Sequence, residues 1–137
     1  MQPAQILSPV FALAGLTFTV LLLIPIARFR AVMADQVAVD DFAFGGSGRV
    51  PQRTELPNRN YMNLLEMPVL FYVACVAFYM TNTVDRTALI LAWSYVALRA
   101  VHSAIHISYN KVIHRLSVFV ASNVVLVVLW LRLFFSL

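Results

Sequence analysis

Apolar residues in this chain gather into four unbroken runs instead of alternating with polar ones. The runs are Ile6–Ala27, Met62–Met80, Ala88–Ile107 and Leu116–Leu137. A bilayer's hydrocarbon core, about 30 Å thick, is crossed by roughly 20 apolar helical residues, and each run is of that order. The pattern predicts an all-α membrane protein, a single four-transmembrane-helix bundle with helices over about 6–27, 62–80, 88–107 and 116–137. Its connections differ in kind. Residues 28–61 form the long one, which holds Gly45-Gly46-Ser47-Gly48, Pro51, Pro57 and Asp40-Asp41. It reads as an irregular, mobile segment at the membrane surface. Thr81–Thr87 and Ser108–His114 are short, which makes the second, third and fourth helices antiparallel neighbours. Pro68 falls one turn into the second run and should kink it, a defect that membrane helices tolerate because neighbours re-satisfy the freed carbonyls.

Composition sharpens this picture. At 137 residues, 61% of them hydrophobic and 12% charged, the chain is too short to hide its apolar side chains in a water-soluble core. The first run is not expected to be a cleaved signal, because Met1–Gln5 carry no Lys or Arg and the cations follow the run. The net charge of +4 informs on orientation and gives no sign of a nucleic-acid partner. Arg28, Arg30, Arg49, Arg53 and Arg59 lie in the first connection and Lys111 and Arg115 in the third, against Arg86 and Arg132 on the opposite side. Lys and Arg concentrate in cytoplasmic segments. Both termini are therefore expected outside the cytoplasm and the first and third connections inside it. The single cysteine, Cys75, sits mid-helix and reads as packing.

Polar residues within the spans are not scattered. Arg59, Asn63 and Glu66 are spaced i, i+4, i+7 and share one stripe of the second helix. Arg99, His102 and His106, spaced i, i+3, i+7, do the same on the third, with Ser103 beside them. Arg28 closes the first helix and Arg115 opens the fourth, so four helices deliver polar groups to one layer. Ionisable groups in hydrocarbon are costly and face a bundle interior or a cavity. Snorkelling anchors and an Arg99–Glu66 pair holding helices together give a structural account, and a functional pocket is the favoured one.

These residues resemble the membrane-associated proteins in eicosanoid and glutathione metabolism, the MAPEG family, in a bacterial-type member. The resemblance covers essentially the whole chain. Its most specific piece is Arg59-Asn60-Tyr61-Met62-Asn63-Leu64-Leu65-Glu66-Met67-Pro68, similar to the family's Arg-x-x-x-Asn-x-x-Glu signature followed by a proline. Arg28-Phe29-Arg30 resembles the basic exit from the first helix. Arg99-Ala100-Val101-His102, with Arg115 nine residues after His106, resembles the third-helix pattern and the arginine opening the fourth helix. The resemblance implies a homotrimer holding glutathione as co-substrate between subunits near the cytoplasmic face. It implies that Arg28, Arg59, Asn63, Glu66 and His102 bind glutathione, with Arg99 and His106 beside them, and that Arg115 sits at the sulfur as the catalytic group.

The chemistry is consistent with those roles. Two carboxylates suit guanidinium forks, which Arg28, Arg59 and Arg99 supply, and the ammonium suits Glu66. A free thiol has a pKa of about 8.5, which a neighbouring cation such as Arg115 lowers. The expected function is a glutathione-dependent transferase or peroxidase acting on a lipophilic electrophile or lipid peroxide. The chain departs from many active members in having His106 at a third-helix tyrosine position. Leu116 and Phe119 stand where hydroxyl-bearing residues occur, with Ser117 and Tyr109 as the nearest substitutes. These departures favour the main alternative, a non-catalytic membrane protein binding lipid or a protein partner in the same cleft. A metal site on His102 and His106, with Glu66 or His114 as third ligand, or a haem there, is disfavoured because only the third helix carries intramembrane histidines, and no metal is expected. A transporter is disfavoured by the short chain.

Overall fold

The computed structural model describes residues 2–45 and 48–137. Its helices are α1 (Leu7–Met33), α2 (Gln52–Leu65), α3 (Pro68–Thr81), α4 (Arg86–Ile107) and α5 (Val112–Phe134), and the described residues contain no β-strand. Four helical stretches are long and apolar enough to cross a membrane, with α2 and α3 together forming the second. The protein is an integral, multi-pass four-helix membrane bundle. Its outward surface is apolar, with Phe11, Phe18, Leu22, Ile90 and Val124 exposed. That suits lipid, where apolar exposure costs nothing. Small residues (Ala74, Cys75, Ala88 and Ala92) are fully buried and let α3 and α4 approach the rest of the core closely. Phe71 and Tyr95 stack between α3 and α4 with ring centroids 4.8 Å apart. A short 3-10 helix, Pro3–Ile6, drives Ile6 into the same core.

Two helix ends differ from the sequence expectation. Helix α1 runs on past residue 27 to Met33, and α2 begins at Gln52 instead of near residue 62. The connection expected over 28–61 therefore shortens to 34–51. Apolar run length measures only the hydrocarbon-embedded part of a helix, and α2 continues outward as an amphipathic helix. Its buried stripe of Leu56, Pro57, Asn60 and Leu64 packs mainly against α1. The described part of the connection is also more ordered than its composition suggests. It forms a 3-10 helix, Val39–Phe42, in which Asp41 accepts the Ala38 N–H at 2.9 Å. Val37 and Val50 close with Ala31 into a small second core. Gly45 takes a φ of 76°, which a glycine adopts freely. Gly46 and Ser47 of the glycine-rich run lie outside the described residues.

Pro68 produces a break instead of a kink. Helix α2 stops at Leu65, Glu66 takes φ −85° and ψ −98°, and α3 restarts with Pro68 in its first turn. A proline is at home there because its missing N–H would have no intrahelical acceptor. At the opposite end, Asp85 caps α4 by accepting the Ala88 N–H at 2.7 Å. It also receives Arg132 Nε from α5 at 3.1 Å. These contacts hold the Asp85 carboxyl below the usual carboxylate range, the Ala88 N–H foremost.

Asp85→Ala should therefore lower stability in detergent by about 1–2 kcal/mol, the worth of an N-cap plus a partly exposed ion pair. Asp85→Asn keeps the cap and should lose less than about 1 kcal/mol. A depressed carboxyl pKa stabilises only above the unfolded-state value of about 4. The gap between wild type and Asp85→Ala should thus be full at neutral pH and close as pH falls through the folded-state pKa. Unfolding curves across that range check it, and an equal gap at all pH values would contradict it.

Candidate functional site

Helix α4 carries a buried polar face. Tyr95, Arg99, His102, Ser103 and His106 recur at helical spacing and are all buried. Arg99 is the largest fully buried side chain in the described residues. Helix α2 meets this face with two asparagines one turn apart. Asn60 Oδ1 accepts from Ser103 Oγ at 3.2 Å. Asn63 accepts twice from Arg99 Nη2, through its side-chain oxygen and through its carbonyl at 3.1 Å. That carbonyl is available because of the helix break. Its intrahelical donor would have been the Met67 N–H, and α2 has ended before it. Pro68 thus acts on the site from a distance: it ends the helix, and the freed carbonyl goes to Arg99.

The α5 side completes a cleft of about 210 Å³, lined by Asn63, His102, Val112, Arg115, Leu116 and Phe119. Arg115 is half-buried, and its Nη1 donates to Asn110 Oδ1 at 2.6 Å. Phe119 lies 5.8 Å from the His102 ring and 5.8 Å beneath the Arg99 guanidinium, at the long end of the cation–π range. His106 packs nearly perpendicular to His102, with centroids 5.7 Å apart.

The structure brings five of the eight expected residues together: Asn63, His102 and Arg115 on the cleft wall, with Arg99 and His106 directly behind. The other three are placed differently. Arg59 and Glu66 are exposed on the single chain. Arg59 acts electrostatically on His106, and Glu66 on Arg99, without a direct contact. Arg28 faces the connection, with its guanidinium 5.1 Å over the Phe42 ring. It lines a separate, apolar hollow with Pro25 and Val39. Ion pairs among the described residues are Arg49–Asp41 and Arg132–Asp85. The Arg99–Glu66 pair is not among them.

The site is therefore positive and undersatisfied. Arg99 Nε and Nη1, Asn60 Nδ2, His102 Nδ1 and His106 Nδ1 are buried without a hydrogen-bond partner. Arg99, Arg115 and Arg59 gather around the histidines. No group of three His, Cys, Asp or Glu side chains able to hold a metal forms among the described residues. Chemically, the cleft can bind an anion and stabilise a thiolate, while its Leu116 and Phe119 wall is apolar. Ser117 and Tyr109 do not line it. Ser117 Oγ donates to the Ile113 carbonyl at 2.8 Å, and Tyr109 pairs with His114 at 3.0 Å.

Sequence reasoning missed Asn60 and Asn110. Asn60 was readable in principle, since it lies one turn before Asn63 on the buried stripe of α2. Asn110, in the turn before α5 with φ 48°, has no local signal beyond its tolerance of that conformation.

The MAPEG family model matches residues 6–135. No curated protein and no solved structure matches the chain.

Proposed function

The chain belongs to the MAPEG family, and from that membership we propose that its cleft binds glutathione at the cytoplasmic membrane face. The bound thiol would then act on a lipophilic electrophile or lipid peroxide reaching the cleft from the bilayer. Arg99 carries this reading. It is a fully buried cation whose hydrogen-bond partners are the two neutral oxygens of Asn63. A buried charge without a counter-charge costs several kcal/mol, and a carboxylate-bearing ligand offsets that cost. Glutathione brings two carboxylates for Arg99 and Arg59, and an ammonium for Glu66. Its thiol, placed at Arg115, would be held ionised by the guanidinium. The thiolate would bond to the electrophilic carbon while the displaced electron pair leaves with the departing group or takes up a proton. With a lipid peroxide, a second glutathione would complete the reduction to alcohol, water and glutathione disulfide.

One chain presents an incomplete version of this site. Arg59 and Glu66 face outward and Arg28 faces away. A homotrimer with the cleft opening between subunits would complete it, with Arg28 supplied by a neighbour. A second reading, a non-catalytic protein binding lipid or a partner protein in the cleft, is favoured by the Leu116 and Phe119 wall and by the engagement of Ser117 and Tyr109 elsewhere.

Thermal unfolding in detergent against glutathione concentration tests the binding. A ligand at about ten times its Kd adds roughly 1.4 kcal/mol. Wild type should show a saturable rise in Tm, and Glu66→Ala, which removes the ammonium partner, should show little or none. No rise in folded, assembled wild type at millimolar glutathione would overturn the proposal.

A further inference from the structure

A hollow of about 480 Å³ opens on the outer face of α4, lined by Arg86, Leu89, Ile90, Trp93, Ser94 and Ala97. It shares no lining residue with the Asn63–His102–Arg115 cleft. The six positions fall on one stripe of the helix and span about 16 Å along its axis, close to the depth of one bilayer leaflet. The polar groups on this stripe are accessible. Arg86 is exposed at the end of the bundle that carries both termini, and Trp93, two turns deeper, is 45% exposed. The other cation at that end, Arg132, is held by Asp85, whereas no carboxylate among the described residues pairs with Arg86. A cation in the first turn of a helix also gains nothing from the helix's own dipole. Ser94, half-buried, makes no hydrogen bond among the described residues, while Thr19, Ser108 and Ser117 return their hydroxyls to the carbonyl four residues back.

The order of these groups along α4 constrains the occupant. It brings an anion to Arg86 at the interface, hydrogen-bond acceptors to the Trp93 N–H and the Ser94 hydroxyl below it, and apolar surface to Leu89, Ile90 and Ala97. A second copy of the chain answers poorly. Asp85 is the only acidic side chain at that end, and it is already bound to Arg132 and the Ala88 N–H. We propose that this face of α4 is a binding site for an anionic phospholipid of the leaflet next to the termini. The phosphate pairs with the Arg86 guanidinium, the ester carbonyls meet Trp93 and Ser94, and one acyl chain continues over Ala97. A guanidinium alone would take any phosphate; the apolar stripe of leaflet depth beneath it selects the lipid. The inference does not depend on glutathione occupying the cleft.

The chain has two tryptophans, so Trp130→Phe leaves Trp93 as the sole indole reporter. The full-length variant is reconstituted in phosphatidylcholine bilayers containing a minor fraction of phosphatidylglycerol or phosphatidylcholine brominated on its acyl chains, which quenches a nearby indole. Brominated phosphatidylglycerol should quench Trp93 at about one fifth of the mole fraction that brominated phosphatidylcholine needs, the worth of one basic side chain at the membrane surface. Adding Arg86→Gln, a change at an exposed position, should equalise the two lipids while both still quench. In Trp93→Phe the remaining Trp130, beside the neutralised Arg132, should show no preference. Four results would overturn the proposal: equal quenching by the two lipids at Trp93, a preference that survives Arg86→Gln, the same preference at Trp130, or no quenching at all in protein with native circular dichroism. The third would mark a general attraction of that bundle end for anionic lipid, and the fourth would mean that protein covers the face. Comparing wild type with Arg86→Gln alone, both indoles present, gives the Arg86 dependence without relying on Trp130→Phe to fold.

Discussion

Asn63→Leu should destabilise the folded chain by about 3 kcal/mol, and adding Arg99→Met should restore most of the loss. The asymmetry follows from the burial of Arg99, which is 0% exposed and finds its acceptors in the Asn63 side chain and carbonyl. Removing the side-chain oxygen strands a buried guanidinium to which the chain itself offers no carboxylate. Removing the cation as well replaces a polar contact with an apolar one of similar volume, which buried sites tolerate. Unfolding of the two single variants and the double variant in detergent gives the coupling directly, and it should reach about 2 kcal/mol. Additive losses would show that Arg99 has another partner. The double variant, though folded, should lose its stabilisation by glutathione, which separates the ligand's need for the Asn63–Arg99 pair from the fold's.

Arg115→Ala should leave glutathione bound but raise the pKa of its thiol by about one unit or more, reducing conjugation of a small electrophile at neutral pH about tenfold. The sign is set by charge. A cation favours the thiolate, so the wild-type rate should rise with pH and level off below the free-thiol value of about 8.5. In Arg115→Ala the same rise should move to higher pH. Asn110→Ala should move it in the same direction by less, because Asn110 holds the Arg115 guanidinium through a 2.6 Å bond. Rate against pH, measured with glutathione saturating, distinguishes this from a general loss of fold, which would lower the plateau without moving the curve. A rate in wild type no greater than that of free glutathione would leave the non-catalytic reading.

The spans and the polar layer were legible because hydrocarbon imposes strict rules. It demands unbroken apolar runs, and it makes any charge inside them conspicuous, so Arg99, His102 and Glu66 stood out at once. What escaped was decided by protein–protein packing. The extension of α2 back to Gln52 rests on Thr54, Leu56 and Pro57 being buried, and Pro57 reads as loop because the neighbour that buries it is distant in sequence. The freed Asn63 carbonyl depends on Pro68, which opens the helix before the one that carries Arg99. Arg28 illustrates the opposite failure. The pattern places it at the end of the first helix, but α1 continues to Met33 and Phe42 of the connection holds its guanidinium on another face, a contact no local pattern encodes.

Arg99 also bears on how the chain enters the membrane. With that arginine and two buried histidines, α4 is the least apolar of the four spans. An arginine at mid-span makes insertion less favourable by about 2.5–3.5 kcal/mol. Its acceptor, Asn63, lies 36 residues earlier and has already left the ribosome when Arg99 emerges. Helix α2 with α3 can therefore act as an intramolecular insertion partner for α4, offering two oxygens in the bilayer before the charge arrives. The order of the spans along the chain becomes part of the design: a permuted protein with α4 ahead of α2 should insert that helix poorly, although its finished fold would contain the same contacts.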